Sequence, residues 1–205
     1  MQFIELKQKL EQFKIFSLQD VRKIEADFDL RRLSEWQGKG YIKMIRRGYY
    51  IFSDLEINES ALFLMANKIY SPSYISLEMA FSHYNVIPES VYGITSVTSE
   101  KTNDFESVVG KFIYKHIRPA LMFGYKLVEY KGHNFKIAEI EKAVLDYFYF
   151  NPHLKTENDF SEMRFNGEEF KGRADKARLM RYLKEFGNKS MEKRVNKFLE
   201  HIQYA

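Results

Sequence analysis

Apolar side chains recur at three- and four-residue intervals through the start of the chain, and near residue 41 the interval changes. Phe3, Leu6, Leu10 and Phe13 form one stripe, which predicts a first helix. Ser17 stands three residues before Asp20, a carboxylate variant of the capping box, and Leu18, Val21, Ile24 and Phe28 continue at helical spacing into a second. Asp29 is placed to cap a third, which runs through Leu33 and Trp36 to a stop at Gly38 or Gly40. Residues 41–45 and 49–52 are then β-branched and aromatic, with Arg46-Arg47-Gly48 between them. That is a hairpin signal, and its loop needs a positive φ where the chain supplies glycine.

Helical spacing returns at residues 60–70 and ends before Pro72, because proline disfavours helix at the preceding residue. A short helix is expected over residues 76–83 and a loop over 85–90. Runs at 91–98, 112–117, 125–130 and 134–138 read as strands, the last two joined across Lys131-Gly132. Residues 140–150 are helical again and stop at Asn151-Pro152. Residues 153–172 are polar and weakly periodic, so a loop with at most one short element is expected. Two helices follow, 174–186 and 190–203, broken at Gly187. The fold class is therefore α+β: an N-terminal winged helix-turn-helix at residues 1–55, then a mixed α/β domain with basic C-terminal helices at residues 56–205.

Composition narrows the functional classes. No apolar run approaches the roughly 20 residues that span a bilayer, and the N-terminus lacks a signal-peptide core, which points to a cytoplasmic protein without a membrane partner. The absence of cysteine excludes disulfides and thiolate metal sites, and the five histidines show no zinc-type pairing, so no metal or other cofactor is expected. The net charge of +4 tilts toward a polyanionic partner.

The location of that charge says more. At about 100° per residue, Leu33 and Gln37 set the core-facing arc of the third helix, and Arg31, Glu35, Lys39 and Arg32 fall on the opposite arc. The hairpin adds Lys43, Arg46 and Arg47. Between residues 29 and 52 six cations face two carboxylates, a local net of +4. Arginine pairs with guanine edges or phosphate, lysine suits phosphate, and Glu35 can accept from a cytosine amino group or orient an arginine. The DNA-binding set is thus Arg31, Arg32, Glu35, Lys39, Lys43, Arg46 and Arg47, with Arg46 and Arg47 pointing outward at the hairpin tip. Trp36 is expected to lid the core. The alternative is a winged-helix protein-docking module whose cations form a solvated face.

Further blocks carry a family likeness. Tyr74-Ile-Ser-Leu-Glu-Met-Ala80, His83-Tyr-Asn-Val-Ile-Pro88, Ile94-Thr-Ser-Val-Thr98, Gly110-Lys-Phe-Ile-Tyr114, Phe123-Gly-Tyr125 and Ile137-Ala-Glu-Ile-Glu-Lys-Ala-Val-Leu-Asp146, together with Arg47-Gly-Tyr-Tyr50, resemble AbiEi-type antitoxins over most of residues 15–150. Met79 and Glu139 depart from that pattern, which has a small residue at the first position and a small or capping residue at the second. The resemblance implies an operon-encoded repressor that binds inverted repeats in its own promoter, in a type IV toxin–antitoxin system of phage defence. Its functional partner would be a nucleotidyltransferase-like toxin that the antitoxin need not touch. The implied DNA contacts fall on Arg31, Arg32, Lys39, Lys43, Arg46 and Arg47.

Two other patterns have chemical readings. Glu139 and Glu141 sit where a helix start favours carboxylates, and Lys142 and Asp146 pair at i, i+4, which is a structural arrangement. Glu129-Tyr-Lys131 has the spacing of a divalent-metal nuclease strand, with Asp104 as its upstream carboxylate. Residues 171–205 hold ten cations against four acids; their apolar stripes are expected to pack and leave the cations outward.

Overall fold

The computed structural model describes residues 2–10, 13–88 and 91–203. Helix α1 (Phe3–Leu10) buries Leu6 and Leu10. A two-residue strand β1 (Phe16–Ser17) precedes α2 (Leu18–Ile24). The expected capping box is formed: the Asp20 amide donates to Ser17 Oγ at 3.3 Å, and the Ser17 amide donates to the Asp20 carboxylate at 2.8 Å. Helix α2 ends before Phe28, which reaches the same core from the connecting turn. Helix α3 (Arg31–Gly38) is capped from two residues back, where Asp29 accepts from the Arg31 amide at 3.0 Å. The chain then turns at Gly40, φ +73°.

Strands β2 (Ile42–Arg46) and β3 (Tyr49–Phe52) form the expected hairpin, and β1 pairs with the other edge of β3, giving the sheet order β1-β3-β2. The hairpin loop is shorter than the sequence predicts. Its turn is Arg47-Gly48, with Gly48 at φ +85°, because the register slips between Met44 and Arg46 and the strand gains an extra residue there.

The hairpin serves two cores. Ile42 and Phe52 belong to a small cluster with Leu6, Leu10, Phe16, Val21, Phe28, Leu33 and Trp36. Ile45 and Ile51 belong to the larger cluster, which continues through the rest of the chain.

That larger core surrounds a six-stranded mixed sheet. After α4 (Glu59–Ile69) come β4 (Ser73–Ile75), α5 (Leu77–His83), β5 (Ile94–Thr98), β6 (Asn103–Ser107) and β7 (Gly110–His116). A 3-10 turn at Pro119–Leu121 leads to β8 (Tyr125–Tyr130) and β9 (His133–Ala138), in the sheet order β6-β7-β5-β4-β9-β8. Pairs β4/β9 and β5/β7 are parallel. Strands β4 and β6 escape the periodicity reading for opposite reasons. All three residues of β4 are buried, so nothing alternates, whereas β6 is a polar edge strand whose one large apolar side chain is Phe105.

Helix α6 (Ile140–Phe150) packs against α5, and four helices follow: α7 (Glu157–Glu162), α8 (Gly167–Arg173), α9 (Lys176–Phe186) and α10 (Lys189–His201). The expectation of a loop with at most one short element over residues 153–172 is thus corrected to two helices. Each is short and buries one phenylalanine, Phe160 or Phe170, too few for a period to show. Caps start them: Thr156 with Asp159 in a capping box, and Asn166 accepting from the Glu169 amide at 3.1 Å.

Several charges are held inside this body. Lys142 and Asp146 are fully buried and pair across one turn of α6. Lys142 also donates to the Tyr74 hydroxyl at 2.8 Å, and Asp146 accepts from Tyr74 at 2.9 Å and Ser76 at 2.8 Å. The ammonium lies 5.1–5.3 Å from the ring centres of Tyr74, Phe123 and Phe186. Arg194, counted from sequence among the outward cations, is turned inward. It donates to the carbonyls of Phe148 and Asn151 at 3.1 and 3.0 Å, satisfying groups that the end of α6 leaves without helical partners.

Lys142→Met therefore leaves Asp146 buried without its counter-ion and should lower stability by about 3–5 kcal/mol. Arg194→Met strands the α6 carbonyls and should cost about 2–3 kcal/mol. Urea unfolding followed by circular dichroism measures both; midpoints equal to wild type would show that neither network carries stability.

Candidate nucleic-acid interface

The sequence-derived set converges on α3 and the hairpin, and the structure sorts its members. On α3, Leu33 and Trp36 are buried while Gln37 is exposed. The core-facing arc is thus rotated from the Leu33–Gln37 setting toward Trp36, because the indole ring packs against Phe3 at 5.5 Å and Phe28 at 5.7 Å between centroids. This rotation changes which cations face outward. Arg31 and Glu35 are exposed on the outer side, whereas Arg32 is half-buried on the flank. Arg32, Glu35, Lys39, Trp36, Phe3 and Tyr41 line an open groove of about 340 Å³.

Lys39 is exposed but paired, its ammonium 2.5 Å from Glu35 one turn back. That hydrogen bond and charge hold the Glu35 carboxyl below its usual value. Glu35 accordingly acts on Lys39 first, with the charge of Arg32 as a weaker contributor.

On the hairpin, Lys43 and Arg47 are exposed, and no side-chain partner is present for either among the described residues; the same holds for Arg31. Arg46 is different. The expectation that both arginines point outward holds for Arg47 alone. The Arg46 guanidinium donates to the Ile69 carbonyl at the end of α4 and lies 5.0 Å from the Tyr70 ring and 5.2 Å from the Phe105 ring. The slip beside Ile45 places this side chain toward the larger body, while the next residue, in the turn, stays outside. Tyr70 and Phe105 had no sequence signal linking them to Arg46, since they lie 24 and 59 positions away and Phe105 is isolated among polar residues.

The nuclease pattern does not assemble. Asp104 on β6 and Glu129 on β8 occupy opposite edges of the six-stranded sheet. Asp104 pairs with Lys111 at 3.2 Å, Glu129 accepts from the Gly132 amide at 2.5 Å to close its own turn, and Lys131 pairs with Glu56 at 3.6 Å. Among the described residues no group of three His, Cys, Asp or Glu side chains is close enough to hold a metal ion, and no helix is long and apolar enough to cross a membrane.

Glu139 and Glu141 also have structural partners. Glu139 accepts from Tyr182 at 2.6 Å and Arg178 at 3.3 Å, and Glu141 accepts from the Asp175 amide at 2.6 Å and Arg178 at 3.1 Å. Together they fix the start of α9 against α6.

Compared with known proteins, the chain matches no family model and no curated relative.

Gly48 holds φ +85° with open space around the position a side chain would take, so backbone strain alone opposes substitution. Gly48→Ala should cost about 1 kcal/mol of stability without loss of fold. A thermal melt of the variant measures it, and an unchanged melt would show that the turn relaxes.

Proposed function

We propose that residues 1–55 are a winged helix-turn-helix and that the chain is a DNA-binding transcriptional repressor. On this reading it is the antitoxin of a type IV toxin–antitoxin system that autoregulates its operon through inverted repeats. The observation that carries the reading is the exposure of Arg31 on α3, with Lys43 and Arg47 on the hairpin, none of these side chains engaged by another among the described residues. The order of elements supports it: helix, short strand, two helices and a hairpin is the winged-helix layout, in which the third helix enters the major groove and the wing reaches backbone or minor groove. Arg31 then reads a base edge, and Lys43 and Arg47 neutralise phosphates. Lys39 approaches phosphate from within its pair with Glu35. The blocks shared with AbiEi-type antitoxins support the operon context, in which the neighbouring gene encodes a nucleotidyltransferase-like toxin and no direct contact with it is required. The dispersal of Asp104, Glu129 and Lys131 supports a binding function over a hydrolytic one.

Fluorescence anisotropy with the chain's own upstream DNA, read across a salt series, tests this. Lys43→Ala and Arg47→Ala should each weaken binding to all sequences and flatten the slope of log affinity against log salt by about one. Arg31→Ala should cost about 1–3 kcal/mol on the operator and less on unrelated DNA, which lowers sequence preference. Glu35→Gln removes a carboxylate and releases Lys39, so it should tighten binding to every sequence. Wild-type affinity in all four variants would remove the proposed surface; a partner co-purifying with protein that never retains DNA would favour the docking module.

A further inference from the structure

We infer that Arg46 is a positioning residue, a clamp that fixes the hairpin, and through it the DNA-reading surface, on the larger body; this rests on the repressor reading above. Its guanidinium is engaged in three ways at once: an N–H to the Ile69 carbonyl, one ring contact with Tyr70 and another with Phe105. The bed beneath it is itself held by rings and hydrogen bonds. Tyr70 packs on Tyr114 at 4.8 Å and donates to the Lys101 carbonyl at 2.8 Å. Phe105 stacks on Phe112 at 5.5 Å, and Tyr114 donates to the Ala66 carbonyl at 2.8 Å.

Ile45 and Ile51 also tie the hairpin to this core, but burial of aliphatic surface has no direction. An open cleft of about 380 Å³ separates much of the hairpin end from residues 103–108 of the β6 edge. Arg46 is the directional link across it. Arg47, the next residue, inherits its place from this anchor, and Gly48 accepts from the Leu18 amide at 3.2 Å, which joins the turn to the start of α2. Lysine cannot substitute for this arginine, because a point-like ammonium does not lie flat against rings while directing an N–H at a carbonyl.

A clamp and a phosphate contact differ in salt dependence and in the effect of lysine. Operator affinity is measured by anisotropy across a salt series for wild type, R46A, R46K, F105A and the R46A/F105A double variant, each first checked for native circular dichroism. If Arg46 is the clamp, R46A and R46K both bind about tenfold more weakly with the wild-type salt slope, F105A weakens binding similarly, and the double variant is no weaker than R46A. A slope shallower by about one in R46A with wild-type binding in R46K identifies a phosphate contact and overturns the inference. Unchanged affinity in R46A, or losses that simply add in the double variant, also overturns it. Hydrogen exchange of hairpin amides 42–52 without DNA separates the two readings. Should wild type retain no DNA at low salt, the repressor reading falls, yet faster exchange in R46A still supports the clamp and unchanged exchange overturns it.

Discussion

A hairpin that gives side chains to two cores is the constraint from which the rest of the molecule follows. Roughly fifty residues fold around the small cluster of Leu6, Leu10, Phe16, Val21, Phe28, Leu33 and Trp36. A body of that size buries too small a fraction of its surface to be very stable alone. The hairpin compensates by giving Ile42 and Phe52 to this cluster and Ile45 and Ile51 to the larger one. The slip at Ile45 makes this possible, since an extra residue in a strand re-aims the side chains that follow it.

Charge follows the same logic. Cations that look alike in sequence end in three physical situations. Lys142 and Arg194 are inside, where each is matched by a carboxylate or by helix-end carbonyls that would otherwise lack donors. Arg178, Lys111 and Lys39 are tied to carboxylates at the surface. Arg31, Lys43 and Arg47 are exposed without carboxylate partners among the described residues, and together on α3 and the hairpin they offer the field and donors that a polyanion needs. The excess of cations in residues 171–205 therefore overstates the positive face of the terminal helices, because Arg194 is buried and Lys171, Arg173 and Arg178 pair with Glu168, Glu169 and the Glu139–Glu141 couple.

The polar network around Asp146 shows how the larger body fixes its topology. Tyr74 and Ser76, on either side of Ile75 at the end of β4, converge on a carboxylate two turns into α6. They lie about seventy residues from it in sequence, so the network joins the central strand to the helix that covers it. A group so dependent on its partners leaves few other ways to dock that helix.

What the sequence determined was local. Caps and periods placed α1 to α6, α9, α10 and strands β2, β3, β5, β7, β8 and β9 to within a few residues, and Gly48 marked the turn, because these features depend on backbone hydrogen bonds and φ values settled among near neighbours. Tertiary structure alone decided the rest. It decided that β4 and β6 are strands, since a three-residue buried strand has no period and an edge strand is defined by its neighbour. It decided that α3 turns Gln37 outward and carries Arg32 to the flank, since the choice between near-equivalent faces is made by the way Trp36 packs on Phe3 and Phe28. It also decided that of two adjacent arginines one faces inward and the other outward, because a one-residue slip in strand register reverses which side of a sheet a residue occupies, and no local pattern records where that slip falls.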